Sequence, residues 1–170
     1  TGGASVDTVS YLNASSAVSA NLTLTTAQAT GGSGSDTFSG IENLTGSNFA
    51  DKLTGNAAAN ILNGGAGADT LAGGDGSDTY YVDNIGDVVT ETNAVASTGG
   101  TDLVYSYLSA YTLGANVENG SIQSAGAANL TGNALNNMLY AGAGAILGHN
   151  FPFYLHFKGG KGIAATAGLI

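Results

Sequence analysis

The chain has 170 residues, only 9% of them charged, and its 12 acids against 3 basic side chains give a formal charge of −9. Ordinary globular chains carry about 25% charged residues; with no arginine and no lysine cluster to neutralise phosphates, nucleic acid and anionic lipid are excluded as partners of the main body. Cysteine is absent, which removes disulfides, a thiolate nucleophile and cysteine-ligated metal centres, while 28 glycines and an excess of carboxylates favour a cation.

The length suggests about one domain. Because the chain starts at Thr1 without Met or a signal peptide, it reads as a fragment whose targeting information lies elsewhere. Residues 1–30 mix small, polar and apolar side chains, with Val6, Val9, Tyr11, Leu22 and Leu24 among Thr and Ser. Two or three short strands are expected there, capping the first coil of the repeats downstream. Asn-x-Thr/Ser triplets at Asn13, Asn21, Asn43 and Asn129 recur as chance allows in so Asn- and Thr-rich a chain, and no function is attached to them.

Next comes GGSGSDTFS at Gly31–Ser39, separated from the later repeats by the insert Gly40–Thr45 and expected to open the coil. From Gly46 a register of nine begins: GSNFADKLT, GNAAANILN, GGAGADTLA and GGDGSDTYY. Leu53, Leu62, Leu71 and Tyr80 occupy the eighth place, and Leu44 continues the series upstream. A strand sends alternate side chains to opposite faces, so a three-residue segment such as Thr70-Leu71-Ala72 turns one apolar residue inward. The other six residues must reverse the chain, and glycines there allow positive φ and close approach of carbonyls. A glycine-rich linker has no reason to keep its apolar residues in one such register.

The sixth place reads Asp51, Asn60, Asp69, Asp78. If each unit is half a coil, units two apart stack, pairing Asp51 with Asp69 and Asn60 with Asp78. Stacked strands lie about 4.7–4.9 Å apart, where two unit charges at an effective dielectric of 20 repel by roughly 3–4 kcal/mol. A bound cation reverses that sign. Ca²⁺ takes about 6–8 oxygen ligands, more than one turn with one Asp supplies, so two stacked turns are needed.

Beyond Tyr81, Val82–Val89 reads as strand, turn and strand, a hairpin or a final coil, with Asp83 and Asp87 as weaker candidate ligands. Residues 93–101 read as a loop, and Leu103–Leu113, rich in Tyr, Val and Leu, as strands covering the end of an apolar core. The chain then repeats itself. Ile41-Glu42-Asn43 returns as Val117-Glu118-Asn119 and Leu53-Thr54-Gly55-Asn56-Ala57 as Leu130-Thr131-Gly132-Asn133-Ala134. Repeats of this kind indicate a solenoid or array. Asn137 and Ile146 stand where Asn60 and Asp69 stood, so the second version is expected to coil, if at all, without a strong metal site.

On GGSGSDTFS, GGAGADTLA, GGDGSDTYY and the lead-in IENLTGSNFADKLTGNAAANILN, residues 1–145 resemble the repeats-in-toxin family of hemolysin-type calcium-binding repeats. The resemblance implies an all-β fold, a parallel β-roll or β-solenoid that folds on calcium after export through a secretion channel. It implies Asp69 and Asp78 as carboxylate ligands with Asp51 and Asn60 opposite them, and carbonyls of Gly65, Gly67, Gly74 and Gly76 completing the shells. Asp36 joins them as a further candidate.

At residue 146 the composition changes: Ile146–Ile170 holds no acid, two of the lysines, both histidines and the proline. Its GHNFPFYLHFKGGKGIA is similar to the central motif of the bacterial acyl-phosphate:glycerol-3-phosphate acyltransferase family, integral membrane enzymes. The resemblance implies a phosphate site at Lys158, Gly159, Gly160, Lys161 and Gly162, with His149 matching the family's histidine. Backbone N–H groups beside lysine charge make an anion cradle. Ile146–Phe157 is too short to span a bilayer, which needs about 20 apolar residues. Two readings of the tail stand: a phosphate-binding or acyl-transfer site, or a fusion remnant that is a short apolar helix or unstructured.

The expected organisation is capping strands at 1–30, a calcium-binding roll at 31–90, a degenerate second unit at 91–145 and the tail at 146–170. Residues 1–145 hold no His, no Cys and no H-E-x-x-H motif, so the chain is expected not to be an enzyme but a calcium-binding, secreted bacterial module. The alternatives are an acyltransferase of the inner membrane, touching lipid through the tail alone, and a structural or adhesive solenoid.

Overall fold

The computed structural model describes residues 1–93 and 98–141. Among them are no helices and fifteen strands of 3–4 residues. In chain order these are β1 (Thr8–Ser10), β2 (Ser19–Asn21), β3 (Gln28–Gly31), β4 (Gly34–Asp36) and β5 (Asn43–Thr45). They continue as β6 (Lys52–Thr54), β7 (Ile61–Asn63), β8 (Thr70–Ala72), β9 (Thr79–Val82) and β10 (Val88–Thr90). The last five are β11 (Leu103–Ser106), β12 (Ala110–Thr112), β13 (Asn119–Ile122), β14 (Asn129–Thr131) and β15 (Met138–Ala141).

A seven-stranded sheet runs β1-β5-β7-β9-β11-β13-β15, and a four-stranded sheet runs β10-β8-β6-β2, every pairing parallel. From β5 to β10 the chain alternates between the two sheets, and the parallel pair β12-β14 continues the alternation beyond β11. The all-β, parallel roll that the resemblance implies is therefore the observed fold.

Register places the apolar residues in ladders. Leu44 pairs with Leu62, Leu62 with Tyr80, and Tyr80 with Val104; on the other sheet Ala20 pairs with Leu53, Leu53 with Leu71, and Leu71 with Val89. Leu53, Leu62, Leu71, Tyr80 and Val104 are fully buried. Each buried side chain of this size contributes about 1.5–3 kcal/mol, and this spine is what holds strands too short to be stable alone. Gly120 takes the inward place in β13, where a Cβ would meet Leu113 at 2.9 Å and Leu130 at 3.1 Å, so those two side chains fill the space.

Three local expectations are revised and one pair of alternatives is resolved. The first coil is built by β1 and β2, which join the two sheets instead of capping them. The unit Gly31–Ser39 does not open a coil: most of it belongs to the antiparallel pair β3-β4, an insert between β2 and β5. Of the two readings of Val82–Val89, a hairpin or a final coil, the coil holds, since β10 pairs parallel with β8 across a full coil. Leu103–Leu113 does not cap the core either, because β11 continues the large sheet and β13 and β15 extend it further. For β1, β2, β10 and β11 the in-register partner that settles the reading is distant in sequence, whereas β3 and β4 pair locally.

Candidate metal centre

The sixth-place side chains form two ladders of their own. Asp69 Oδ1 accepts the Asp51 N–H at 2.7 Å, and Asp87 Oδ1 accepts the Asp69 N–H at 3.0 Å, each 18 residues on. On the other edge Asp78 Oδ1 accepts the Asn60 N–H at 2.7 Å, Asp102 Oδ1 the Asp78 N–H at 2.8 Å, and Glu118 Oε2 the Asp102 N–H at 2.8 Å. Each acid thus satisfies a backbone donor that the turn beneath it would otherwise bury unpaired. This places Asp51 below Asp69 and Asn60 below Asp78, the stacking the spacing predicts.

The second oxygen separates the turns into two kinds. Where the second residue of the turn is not glycine, its N–H closes onto the sixth-place side chain. The Asn56 N–H donates to Asn60 Oδ1 at 2.7 Å, the Asp83 N–H to Asp87 Oδ2 at 3.0 Å, and the Asn133 N–H to Asn137 Oδ1 at 2.7 Å. Ser47 does the same to Asp51 Oδ2 through both its N–H and its hydroxyl. In the two double-glycine turns this closure is missing. Gly65 and Gly67 sit at φ 83° and 138°, and Gly74 and Gly76 at 106° and 103°. Only glycine holds such angles cheaply, and the Gly65 N–H goes instead to Asn63 Oδ1 at 3.0 Å. Asp69 Oδ2 and Asp78 Oδ2 are consequently buried with no hydrogen-bond partner among the described residues.

These open oxygens lie in a cradle of backbone. A Cβ on Gly64 would collide with Asp69 Oδ2, and one on Gly73 with Asp78 Oδ2. A Cβ on Gly67 would stand 2.5 Å from the Phe49 carbonyl oxygen, and on Gly76 2.6 Å from that of Ala58. Carbonyl oxygens of the second and fourth places therefore face the glycines of the next layer. Buried carboxylate, close carbonyls and no donor form the oxygen-only environment a hard cation such as Ca²⁺ takes; unpaired, the same groups would be a net penalty.

Electrostatics point the same way. Burial pushes Asp69 up to about 6, and the neighbouring Asp87, Asp51 and Asp83 add repulsion. Burial likewise raises Asp78 to about 6, with Asp75 adding to it. Asp83 is also raised, by burial first and Asp87 second. A cation beside these carboxylates would offset that cost.

Of the other candidates, Asp51 has both oxygens taken by donors, Oδ1 accepting the Val18 N–H at 2.7 Å. Asn60 turns its amide to the Glu42 carbonyl at 2.7 Å. Asp36 lies apart from the stacked turns, in the β3-β4 insert, where it accepts the Tyr11 hydroxyl at 3.0 Å and the Thr30 hydroxyl at 2.7 Å. His149, Lys158, Gly159, Gly160, Lys161 and Gly162 lie outside the described residues. Sequence reasoning missed the Phe49 and Ala58 carbonyls, and it missed Glu91 and Asp102, which meet Asp78 at one end of the array. Asp87 continues the sixth place nine residues after Asp78, a signal that was present but unaccompanied by glycines at the first, second and fourth places.

With the geometry in place, comparison with known families is informative. Residues 45–80 match the RTX calcium-binding nonapeptide repeat. Residues 107–170 match the glycerol-3-phosphate acyltransferase model. Relatives named glycerol-3-phosphate acyltransferase include that of Pseudomonas fluorescens, 46% identical over 43 residues, 25% of this chain and 23% of the relative. The acyltransferase 1 of Lactobacillus johnsonii is 61% identical over 36 residues, 21% of this chain and 17% of the relative. That of Paramagnetospirillum magneticum is 63% identical over 30 residues, 18% of this chain and 15% of the relative. The chain thus spans less than a quarter of the length of any of these three. No solved structure matches.

These matches correct one expectation: the chain was expected not to be an enzyme, and its C-terminal matches are to an enzyme family. The acyltransferase match also begins well before residue 146. Its first part, residues 107–141, pairs as β12 to β15 within the roll. No described helix is long and apolar enough to cross a membrane.

Proposed function

We propose that the roll is a calcium-binding module of a secreted bacterial protein, emerging through a secretion channel unfolded and folding as calcium binds. The observation that carries this reading is the pair of buried, unpartnered oxygens, Asp69 Oδ2 and Asp78 Oδ2, each beside a double-glycine turn. Asp69 and Asp78 would supply carboxylate ligands, and the carbonyls of Gly65, Gly67, Gly74 and Gly76 would share the shells with the facing carbonyls of Phe49 and Ala58. Asp51 and Asn60 would frame the sites from the layer below. A bound Ca²⁺ supplies the positive charge that lets stacked acids coexist.

A far-ultraviolet circular dichroism titration tests this. β-structure is expected to increase at roughly 10⁻⁴–10⁻³ M calcium, the range of extracellular modules, and Asp69→Ala with Asp78→Ala is expected to abolish the increase. A flat titration of the unaltered chain removes the reading.

The matches over residues 107–170 favour a second activity for the C-terminal segment: acyl transfer to glycerol-3-phosphate at a bacterial inner membrane. Lys158, Gly159, Gly160, Lys161 and Gly162 would hold the phosphate beside His149, by backbone N–H groups and lysine charge. Acylation of glycerol-3-phosphate by the intact protein, lost in Lys161→Ala, is the expected result. No acylation by the intact protein removes it.

A further inference from the structure

Where β9, β10 and β11 come together, three acids from three different segments of the chain converge. Asp78 precedes β9, Glu91 follows β10 on the opposite sheet, and Asp102 precedes β11. One ligand oxygen from each lies within 4.8 Å of the others. All three residues are more than nine-tenths buried, at 1%, 5% and 0% exposure. Asp78 Oδ2, Glu91 Oε2 and Asp102 Oδ2 each lack a hydrogen-bond partner among the described residues.

Their remaining oxygens are fixed by the fold. Asp78 Oδ1 accepts the Asn60 N–H, Asp102 Oδ1 accepts the Asp78 N–H, and Glu91 Oε1 accepts the Tyr80 hydroxyl. The Glu91 backbone is held as well, its carbonyl accepting from Asn116 Nδ2 at 3.0 Å. The three carboxylates are thus positioned, each with an oxygen to spare. Of the three cationic side chains in the sequence, Lys52 is exposed on β6, and Lys158 and Lys161 lie outside the described residues.

We propose that Asp78, Glu91 and Asp102 form a carboxylate site for a hard divalent cation; it shares Asp78 with the turn site proposed for that residue, and differs from the turn sites in drawing on Glu91, which belongs to no nonapeptide. Three anionic oxygens and no soft donor select Ca²⁺, Mg²⁺ or Mn²⁺ over thiophilic metals. The site lies at a structural irregularity. Adjacent coils are 18 residues apart at Asn60–Asp78 but 24 at Asp78–Asp102. A cation here would tie the end of the regular array to the first coil beyond the insertion and to the opposite sheet at once. Burial raises Glu91 to about 8 and Asp102 to about 7, and in both cases neighbouring acids add to the rise: Asp102, Asp78 and Glu118 for Glu91, and Asp78 and Glu118 for Asp102.

The test is the number of ions bound by the full chain, measured by equilibrium dialysis with calcium and, separately, with magnesium. Glu91→Gln keeps the size of the side chain and removes its charge, and it is expected to bind one ion fewer with either the calcium or the magnesium arm. Asp69→Asn serves as the contrast: it should lose an ion at its own turn and keep this one, so failure of the turn reading and failure of this site give different patterns. An unchanged ion count in Glu91→Gln overturns the proposal. If that variant does not fold, Tyr80→Phe decides. The Tyr80 ring adjoins the site, so terbium bound there is expected to emit on tyrosine excitation, and the variant should lose at least half of that emission. Equal emission from Tyr80→Phe and the unaltered chain overturns it.

Discussion

The double-glycine turns and the asparagine turns reverse the same chain between the same two sheets, yet they end in opposite states. In the turns closing at Asn60 and Asn137, the side-chain oxygen takes the N–H four residues back and the amide donates to a carbonyl beneath: Glu42 at 2.7 Å, Val117 at 2.8 Å. Both ends of the asparagine amide are paired from within. In the turns closing at Asp69 and Asp78, glycine at positive φ withdraws the N–H, and a carboxylate has no donor to offer the carbonyls around it. An asparagine amide and a cation are therefore alternative solutions to one problem, a buried layer of oxygens. One coil closes itself; the other leaves its carboxylate oxygen without a donor among the described residues.

This contrast can be broken or sharpened in steps. Both kinds of turn rest on the same inward ladder, so Leu62→Ala should lower stability by about 2–5 kcal/mol, with and without calcium, as read by chemical denaturation. An effect confined to the metal-free form would mean that the ladder is not common to both states. Replacing the sixth-place amide of a closed turn by a carboxylate, Asn137→Asp, removes an amide that donates to Val117 and Glu118 and should lower metal-free stability by about 1–3 kcal/mol. A thermal melt without calcium checks it; no change would show that the amide contributes nothing.

A smaller effect is expected from pH. Asp69 and Asp78 are raised to about 6 in the fold, so the folded chain holds these protons more tightly than the unfolded one. Stability of the metal-free protein should be greatest below about 4, where an unfolded Asp is also protonated, and should decline as pH rises through about 6. Glu91, raised to about 8, should extend the decline above neutrality. Calcium competes with the same protons, so with calcium present the trend should reverse and acid should destabilise. Parallel melts across this range, with calcium and with chelator, show whether the two slopes have opposite signs.

Much of the roll was legible in the residues. The inward places Leu44, Leu53, Leu62, Leu71 and Tyr80 were readable because the strand period and the nine-residue count agree. The stacking of Asp51 with Asp69 and of Asn60 with Asp78 came from treating each unit as half a coil. What escaped depends on context that a local pattern does not carry. GGSGSDTFS has every residue of a coil turn, yet Asp36 finds Tyr11 and Thr30, and the segment folds back on itself as a hairpin insert. Glu91 and Asp102 escaped because the insertion after β10 breaks the count of nine, leaving no register by which to align them. The difference between Asp51 and Asp69 was also hidden. Both are sixth-place aspartates, and only the residue four positions earlier, Ser47 or Gly65, decides whether the carboxylate is closed or open.

Asp69 is the cleanest place to test that difference, because its open oxygen belongs to no other acid cluster. Calcium binding to Asp69→Asn should be followed by titration calorimetry beside the unaltered chain, with circular dichroism recorded in chelator. The expected result is the loss of one binding event together with β-structure that persists without calcium at least as well as in the unaltered chain, since the asparagine can supply its own donor. An unchanged calorimetric titration would contradict the claim that the open carboxylates of the double-glycine turns are what hold the ion.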